Sequence, residues 1–463
     1  MVTALILVFV LGYAAIALEH PIKVNKTASA LLTAVIAWTL LVMLPMPEGI
    51  EGTSAFAAYL GGLGDAGLGN LQEHFKHFVG HELSHHLGSI SEILFFLLGA
   101  MTIVELVDAH QGFRIITDRI TTKNTVKLLW IVSIITFFLS SVLDNLTTSI
   151  VMVSLLRKLI KEAEQRKFFA GMVIIAANAG GAWTPIGDVT TTMLWIGGYV
   201  STVNLVTSIF LPAVAVILAP LVYLTFTLKG QIDRPEIMAS EHESVLSKRE
   251  KSLVLAFGLG GLLFVPVFKT LTHLPPFMGM MLSLGVLWVV TDLLHRKKAE
   301  SDRSSLGILG VIRRLDTPSV LFFLGILLAV ASLQTAGQLK DLASGLDASF
   351  DTETELGIYL VGGIIGLLSA IIDNVPLVAA AMGMYDMVPG TFFSQDGFFW
   401  EYLAFTAGTG GSILIIGSAA GVAVMGLEKI PFGWYLKKIS FLALLGYLAG
   451  IGVYALQGLL AGG

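Results

Sequence analysis

Ser140-Ser141-Val142-Leu143-Asp144-Asn145-Leu146-Thr147-Thr148 decides how the rest of the chain is read. It sets a carboxylate, an amide and two hydroxyls at the end of one apolar run, 128–143, and at the start of another, 149–160. The pattern returns as Ser369-Ala370-Ile371-Ile372-Asp373-Asn374-Val375-Pro376, again between apolar runs. An Asp at bilayer depth costs at least about 2.5–3.5 kcal/mol on insertion scales. A chain that accepts this cost twice, in the same S-x-x-x-D-N setting, is expected to use both carboxylates.

The whole composition agrees with a membrane setting. Of 463 residues, 55% are hydrophobic and 13% charged, and the mean hydropathy is +0.82. Soluble domains carry roughly 25% charged residues, so the expectation is an all-α polytopic membrane protein. The net charge of −5 is dispersed, which points away from nucleic acid. The absence of cysteine excludes disulfides and thiolate-bound metal. The N-terminus is apolar from Val2, with neither a basic n-region nor a small-residue cleavage pattern, and reads as a first membrane helix.

Spans follow from apolar runs, and orientation from Lys and Arg in the loops. The expected crossings are 2–18, 28–44, 93–107, 171–199, 203–228, 253–268, 277–294, 319–333, 402–425 and 439–456. The segment Pro45–Ser91, rich in His, reads as an external stretch. Ala109–Lys127, with Arg114, Arg119, Lys123 and Lys127, reads as a basic amphipathic helix on the inner surface. Segments 128–160 and 356–388 read as re-entrant hairpins with tips at Asp144-Asn145 and Asp373-Asn374. Arg157, Lys158, Lys161, Arg166 and Lys167 mark one inner loop, and Arg296, Lys297, Lys298, Arg303, Arg313 and Arg314 another. Both termini then lie outside.

Two of the crossings are expected to be broken. One carries Asn178-Ala179-Gly180-Gly181-Ala182-Trp183-Thr184-Pro185-Ile186-Gly187-Asp188, the other Gly408-Thr409-Gly410-Gly411-Ser412 on the way to Ser418. Gly and Pro at this density interrupt a helix. Three landmarks recur in the same order and at nearly the same spacing: Leu94-Phe95-Phe96-Leu97 with Leu321-Phe322-Phe323-Leu324, the two Asp-Asn tips, and Ile186-Gly187-Asp188 with Ile416-Gly417-Ser418. This predicts an inverted repeat of residues 92–228 and 319–463, preceded by 1–91 and joined by 229–318.

Such breaks suit a small hard cation. The hairpin tips supply carboxylate and amide oxygens through Asp144, Asn145, Asp373 and Asn374, the expected Na+ ligands. Thr147 and Thr148 add hydroxyls at one tip. Thr184, Thr190 and Thr191 supply them at one break, and Thr409, Ser412 and Ser418 at the other. A half-helix C-terminus adds partial negative charge. A carboxylate that holds either Na+ or a proton couples the two in exchange, and Asp144 is expected to alternate in this way with Asp373 as its partner. Asp188, whose mate is Ser418, could carry a second proton or tune Asp144. The bland alternative is that the Asp-Asn pairs cap hairpin tips and the Gly-rich stretches are packing kinks. Glu105 reads either as a proton relay or, with Asp108, as a surface-facing pair.

His81-Glu82-Leu83-Ser84-His85 matches H-E-x-x-H, the pattern of zinc hydrolases on a helix. His74, His77, His86 or Glu92 could serve as a third ligand. A membrane metalloenzyme using His81, Glu82 and His85 is therefore the competing reading from another class, although the motif sits in a polar segment with no evident substrate cleft.

The motifs F-F-L-S-S-V-L-D-N-L-T-T, N-A-G-G-A-W-T-P-I-G-D-V-T-T, S-A-I-I-D-N-V-P-L and G-T-G-G-S-I-L-I-I-G-S-A-A-G-V together resemble the NhaD-type Na+/H+ antiporters. More distantly they resemble the wider ion transporter superfamily, which includes divalent-anion/Na+ symporters and arsenite carriers. The resemblance runs from about residue 92 to the end. It implies export of Na+ and Li+ driven by proton entry across the inner (plasma) membrane, without a cofactor. It also implies an elevator-like movement of the hairpin domain and a homodimer. Carried over by motif, the ion and proton residues are Asp144, Asn145, Asn178, Asp188, Thr190, Thr191, Ser369, Asp373, Asn374 and Ser412 or Ser418. The anion symporters carry neutral S-N-T tips, so the Asp-Asn tips here shift the expectation from a Na+-coupled anion symporter to a cation exchanger.

Overall fold

In the computed structural model, residues 2–47, 50, 54–63, 70–113, 115, 120–234, 246–296, 298 and 306–461 are described. Among them the chain is helical, with a lone bridge between Asn124 and Gln231. Among the described residues, seven helices are long and apolar enough to cross a membrane: Lys26–Met43, Leu71–Ala109, Thr202–Thr227, Lys248–Thr272, Pro276–His295, Thr317–Thr335 and Ser440–Leu460. Shorter apolar helices include Thr3–Ala17, Thr125–Ser140, Glu355–Leu368, Asn374–Met384 and Ala419–Glu428. The chain is an all-α polytopic membrane protein.

The helices gather into two compact units, each discontinuous in sequence. One comprises Met1–Leu94, Asp316–Val361 and Val375–Val388. Its centre is the pair Lys26–Met43 and Thr317–Thr335. A side chain at Gly325 would meet the backbone of Ala30 and Leu31 at 2.8 Å, so the two helices touch there main chain to main chain. Trp38 Nε1 donates to Leu328 O at 2.8 Å, Thr27 Oγ1 donates to Pro318 O at 2.9 Å, and the Lys26 ammonium lies 4.4 Å from the Phe322 ring centroid.

The other unit comprises Phe95–Leu315, Gly362–Asn374 and Pro389–Gly463. At its heart is Ala163–Ala182, in which every residue from Phe169 to Ala182 is buried. The first hairpin packs on it, Thr125–Ser140 turning through 141–144 into Asn145–Leu159. Thr202–Thr227 and Ser440–Ala461 pack closely, since a side chain at Gly446 would strike Val216 O at 2.2 Å. Buried Glu428 receives Arg157 Nε at 2.7 Å and Arg166 Nε at 2.6 Å. This ion triad ties the end of the hairpin and the start of the buried helix to the end of Ala419–Glu428. Lys248–Thr272 and Pro276–His295 leave Phe257, Leu263, Val267, Leu271, Val289 and Leu293 exposed, as befits a lipid-facing pair.

Several expectations are corrected. The His-rich stretch is helical in its second part. From Leu71 it belongs to a 39-residue helix that continues into the span. At 1.5 Å per residue that helix is about 58 Å long, roughly twice the hydrocarbon thickness. The expected continuous helix over 109–127 is not formed in its described part: residues 110–113 are a turn, 120–123 are irregular, and 125–127 already belong to Thr125–Ser140. Arg114, Arg119, Lys297 and Arg303 lie outside the described residues. The helix breaks come later than expected. Asn178 to Ala182 and Gly408 to Gly410 are still helical, and the unwound stretches are 183–188 and 411–418. Helices Ile308–Ile312, Gln338–Phe350 and Phe432–Lys438 were not foreseen. Gln338–Phe350 carries Lys340, Asp341 and Asp347 among its apolar residues and so escapes a search for apolar runs.

Candidate functional site

The helix Ala163–Ala182 stops at Trp183 and resumes at Val189. Between them Gly181 and Gly187 meet so closely that a side chain at Gly181 would lie 2.4 Å from Gly187 O. A side chain at Gly180 would lie 2.2 Å from Phe137 O. Only glycine lets the first hairpin and the break approach to this degree. Ser140 Oγ donates to Ala177 O at 2.6 Å, Thr184 Oγ1 to Ser141 O at 2.7 Å, and Asn145 N to Gly187 O at 3.0 Å. Asp188 is thereby fixed as the N-cap of Val189–Ile196, its Oδ1 accepting from Thr190 N at 3.1 Å.

The second break is built alike. Gly410 approaches Gly366 O, Gly411 approaches Gly417 O, and Gly417 approaches Ser369 O. Ser369 Oγ donates to Ala407 O at 2.7 Å. Ser418 caps Ala419–Glu428, accepting from Gly421 N at 3.1 Å.

These frames converge on one carboxylate. Asn145 Nδ2 donates to Asp188 Oδ2 at 2.8 Å and to Asn178 Oδ1 at 3.0 Å. Asn374 Nδ2 donates to the same Asp188 Oδ2 at 3.2 Å. Asn178 Nδ2 donates to Ser412 Oγ at 2.9 Å and Ser418 Oγ at 3.0 Å. All six residues are buried. The amides of both hairpin tips, an amide of one helix and the hydroxyls of the other break thus form a single polar network. An amide offers either its N–H or its oxygen, so the network can surround an anionic Asp188 with donors or, with its amides turned, a cation with oxygens.

The remaining expected residues lie around this centre. Asp144 is half-buried and caps Asn145–Leu159, accepting from Thr147 N at 2.8 Å and from Thr147 Oγ1. Asp373 is also half-buried. Thr191 Oγ1 donates to Asp188 O at 2.9 Å, and Thr409 Oγ1 to Phe405 O at 2.6 Å, so both hydroxyls are spent on main chain. Thr148 is buried beside the tip, its hydroxyl without a partner among the described residues. The amide bonds of both tips meet at Asp188, while Asp144, the expected alternating carboxylate, is engaged as a helix cap. Glu105 makes no side-chain hydrogen bond to this network; its charged neighbours are Asp108 and Arg314. Glu401, a buried carboxylate in Phe398–Gly410, went unnoticed because it is a lone acid in an aromatic run.

His81, Glu82 and His85 do lie on a helix. His81 Nδ1 is 3.4 Å from Glu82 Oε1, and His86 Nε2 is 3.7 Å from Glu82 Oε2. Among the described residues no group of three or more His, Cys, Asp or Glu is placed to hold a metal ion.

Comparison with known proteins matches residues 6–408 to the family described as citrate transporter (CitMHS). Sodium/proton antiporter 1 of Arabidopsis thaliana is 50% identical, over 97% of this chain and 72% of its own length. Sodium/proton antiporter 2 of the same plant is 46% identical, over 97% and 98%. The Na+/H+ antiporter NhaD of Vibrio cholerae is 29% identical, over 98% and 91%.

Proposed function

The chain belongs to the citrate transporter (CitMHS) family, and on that premise we propose that it is a secondary transporter exchanging Na+, and also Li+, for protons. The observation that carries this reading is the buried Asp188, bonded by Asn145 and Asn374 from the two hairpin tips. Na+ and a proton compete for one carboxylate: the cation favours its charged form, and burial in low dielectric favours its neutral form. When Na+ enters, the amides of Asn145, Asn178 and Asn374 turn their oxygens inward, with Ser412 and Ser418 supplying hydroxyls. Protonation of Asp188 empties the site. Asp144 and Asp373 flank it and draw cations toward it. The plant relatives, similar over nearly the whole chain, support the same exchange.

Access alternates between the two sides as the hairpins and breaks move together, elevator-like, in an inverted repeat with re-entrant hairpin tips. The matched bonds Ser140 to Ala177 and Ser369 to Ala407 support the repeat. The protein works as a homodimer in the inner (plasma) membrane, with both termini outside and without a cofactor. Accessibility probes are expected to reach 157–167 from inside and 343–354 from outside; the same side for both would remove the inverted topology.

The family description favours one competitor, a Na+-coupled carrier of a citrate-like anion. Such a carrier needs cationic or N–H groups for several carboxylates, whereas the network here has a carboxylate at its centre and neither Lys nor Arg in it. The test is dissipation of a pH gradient in vesicles containing the purified protein. Na+ and Li+ are expected to collapse the gradient, K+ and citrate not. Na+-dependent citrate uptake without proton movement would replace this reading by the symporter.

A further inference from the structure

Besides Asp188 and the arginine-bound Glu428, the same unit holds a further buried carboxylate with a built environment. Glu401 lies in the first turn of Phe398–Gly410 and is 8% exposed. Its Oε1 accepts from Asn204 Nδ2, and its Oε2 accepts from Tyr454 Oη at 3.2 Å. These donors come from two other helices, Thr202–Thr227 and Ser440–Ala461. Asn204 is held in turn: its Nδ2 also donates to Asp396 O at 3.2 Å, and Ser208 Oγ donates to its Oδ1 at 3.4 Å. A charged side chain near Glu401 is another acid, Asp396, whose Oδ1 takes Ser201 N. Every hydrogen-bond partner of Glu401 is neutral.

A structural carboxylate buried among helices is normally paired with a cation, because an unpaired buried charge is costly. Glu428 in the same unit shows that arrangement with Arg157 and Arg166. Glu401 has three neutral side-chain donors, Asn204, Ser208 and Tyr454, that hold it in place in either protonation state: a protonated carboxyl needs only a hydroxyl to turn. Its position bears on the ion site. Gly408 stands two turns further along the same face of this helix, about 10 Å by helix rise. The surface at Gly408 meets Asp188, with Oδ2 only 3.8 Å from where a Cβ would stand.

We propose that Glu401 is a second proton-binding site of the exchanger, outside the ion network and coupled to Asp188 along Phe398–Gly410. The inference rests on the antiport reading above. When Glu401 carries its charge, it strengthens cation binding at Asp188, the proton included, and so keeps Asp188 protonated to higher pH where Na+ is scarce. When it is protonated, that push is relieved. The groups facing it are Asn204 and Ser208 on one helix, Tyr454 on another and Asp396 on the preceding loop, so its protonation answers to that end of the unit rather than to the ion site alone.

The experiment is Na+-induced proton movement in vesicles containing the full chain, recorded from acid to alkaline pH for wild type and variants. Gln at this position keeps the size, accepts from Asn204 and donates to a turned Tyr454, so Glu401→Gln is expected to insert normally. Removing the charge is expected to move the acid limb of activity to lower pH by about one unit, the size of a carboxylate pair about 10 Å apart at an effective dielectric of 20. Tyr454→Phe withdraws a donor from the charged form and is expected to shift the limb the same way by less. Glu401→Asp is expected to restore part of the wild-type profile. Should Glu401→Gln fail to insert, Tyr454→Phe carries the test. Variants that lower the rate equally at every pH, with the limb unmoved, would show a merely structural glutamate and overturn the proposal. Wild type that moves no protons on Na+ addition overturns the antiport reading itself, and this inference with it.

Discussion

The two breaks share their Gly-Gly and Ile-Gly landmarks, 180–181 with 410–411 and 186–187 with 416–417, but differ in the side chain that caps the second half-helix. At the first, Asp188 begins its half-helix with φ −143° and ψ 148°. At the second, Ser418 does so with φ −143° and ψ 153°. Each is preceded by a glycine where a side chain would strike the carbonyl of a serine at the end of the facing helix: a Cβ at Gly187 would lie 2.6 Å from Ser140 O, and one at Gly417 2.5 Å from Ser369 O. The backbone is thus made twice and the buried charge once. The asparagines of both tips then turn to the single carboxylate. On the antiport reading proposed above, the difference points to two like frames serving one ion centre rather than two equivalent ones.

The sharpest way to break this comparison is to exchange the unlike members. Asp188→Asn keeps the size and one acceptor but removes the charge. Na+- and Li+-driven proton movement is expected to fall below detection at every pH, with expression and insertion unchanged. Ser418→Ala loses a hydroxyl that accepts from Asn178 and is expected to weaken apparent Na+ affinity only several-fold. Equal losses in the two variants, measured in the same vesicles, would mean that both breaks carry a site.

Next in size is the contrast between Asp188 and Asp144. Asn caps a helix about as well as Asp, so Asp144→Asn removes the charge without removing the cap. We expect roughly tenfold weaker apparent Na+ affinity, about 1.4 kcal/mol, with the maximal rate largely kept. Asp144→Ala also loses the cap and is expected to unfold more readily by about 1 kcal/mol. Complete loss of exchange in Asp144→Asn at all pH values would return the centre to the hairpin tip.

Much of this was legible in sequence. Asp144-Asn145, Asp373-Asn374 and the Gly-rich breaks stand out because polar groups and helix breakers are expensive in apolar runs. Helices do begin at the Asn of each Asp-Asn pair, Asn145 and Asn374. What could not be read was direction. Asp144 and Asn145 are neighbours, yet a helix start turns one to its own cap and sends the other to Asp188. Asn178 looked like part of an unwound stretch but contributes from within a helix, because unwinding begins where Gly181 and Gly187 meet. Glu401 was hidden because its partners, Asn204 and Tyr454, lie far away in sequence. The His-rich segment misled for a different reason: helices that extend past the apolar run keep their form but lose the hydropathy signal.

The smallest expected effects test the likeness rather than the difference. Ser140→Ala and Ser369→Ala each delete one hydroxyl that bonds the carbonyl of a facing helix, Ala177 O at 2.6 Å and Ala407 O at 2.7 Å. Neither hydroxyl bonds Asp188. A buried hydrogen bond contributes about 1 kcal/mol net, and a carbonyl left without its donor adds to the loss. Both serines are fully buried, so water does not replace the donor. The two variants are therefore expected to lower thermal stability by similar amounts, about 1–2 kcal/mol each, while leaving apparent Na+ affinity within about twofold, about 0.4 kcal/mol. The measurement is thermal unfolding of the purified variants alongside exchange in vesicles. If the frames are equivalent, the stability losses match. A large affinity change in Ser369→Ala alone would make that serine an ion ligand and the second frame more than a support.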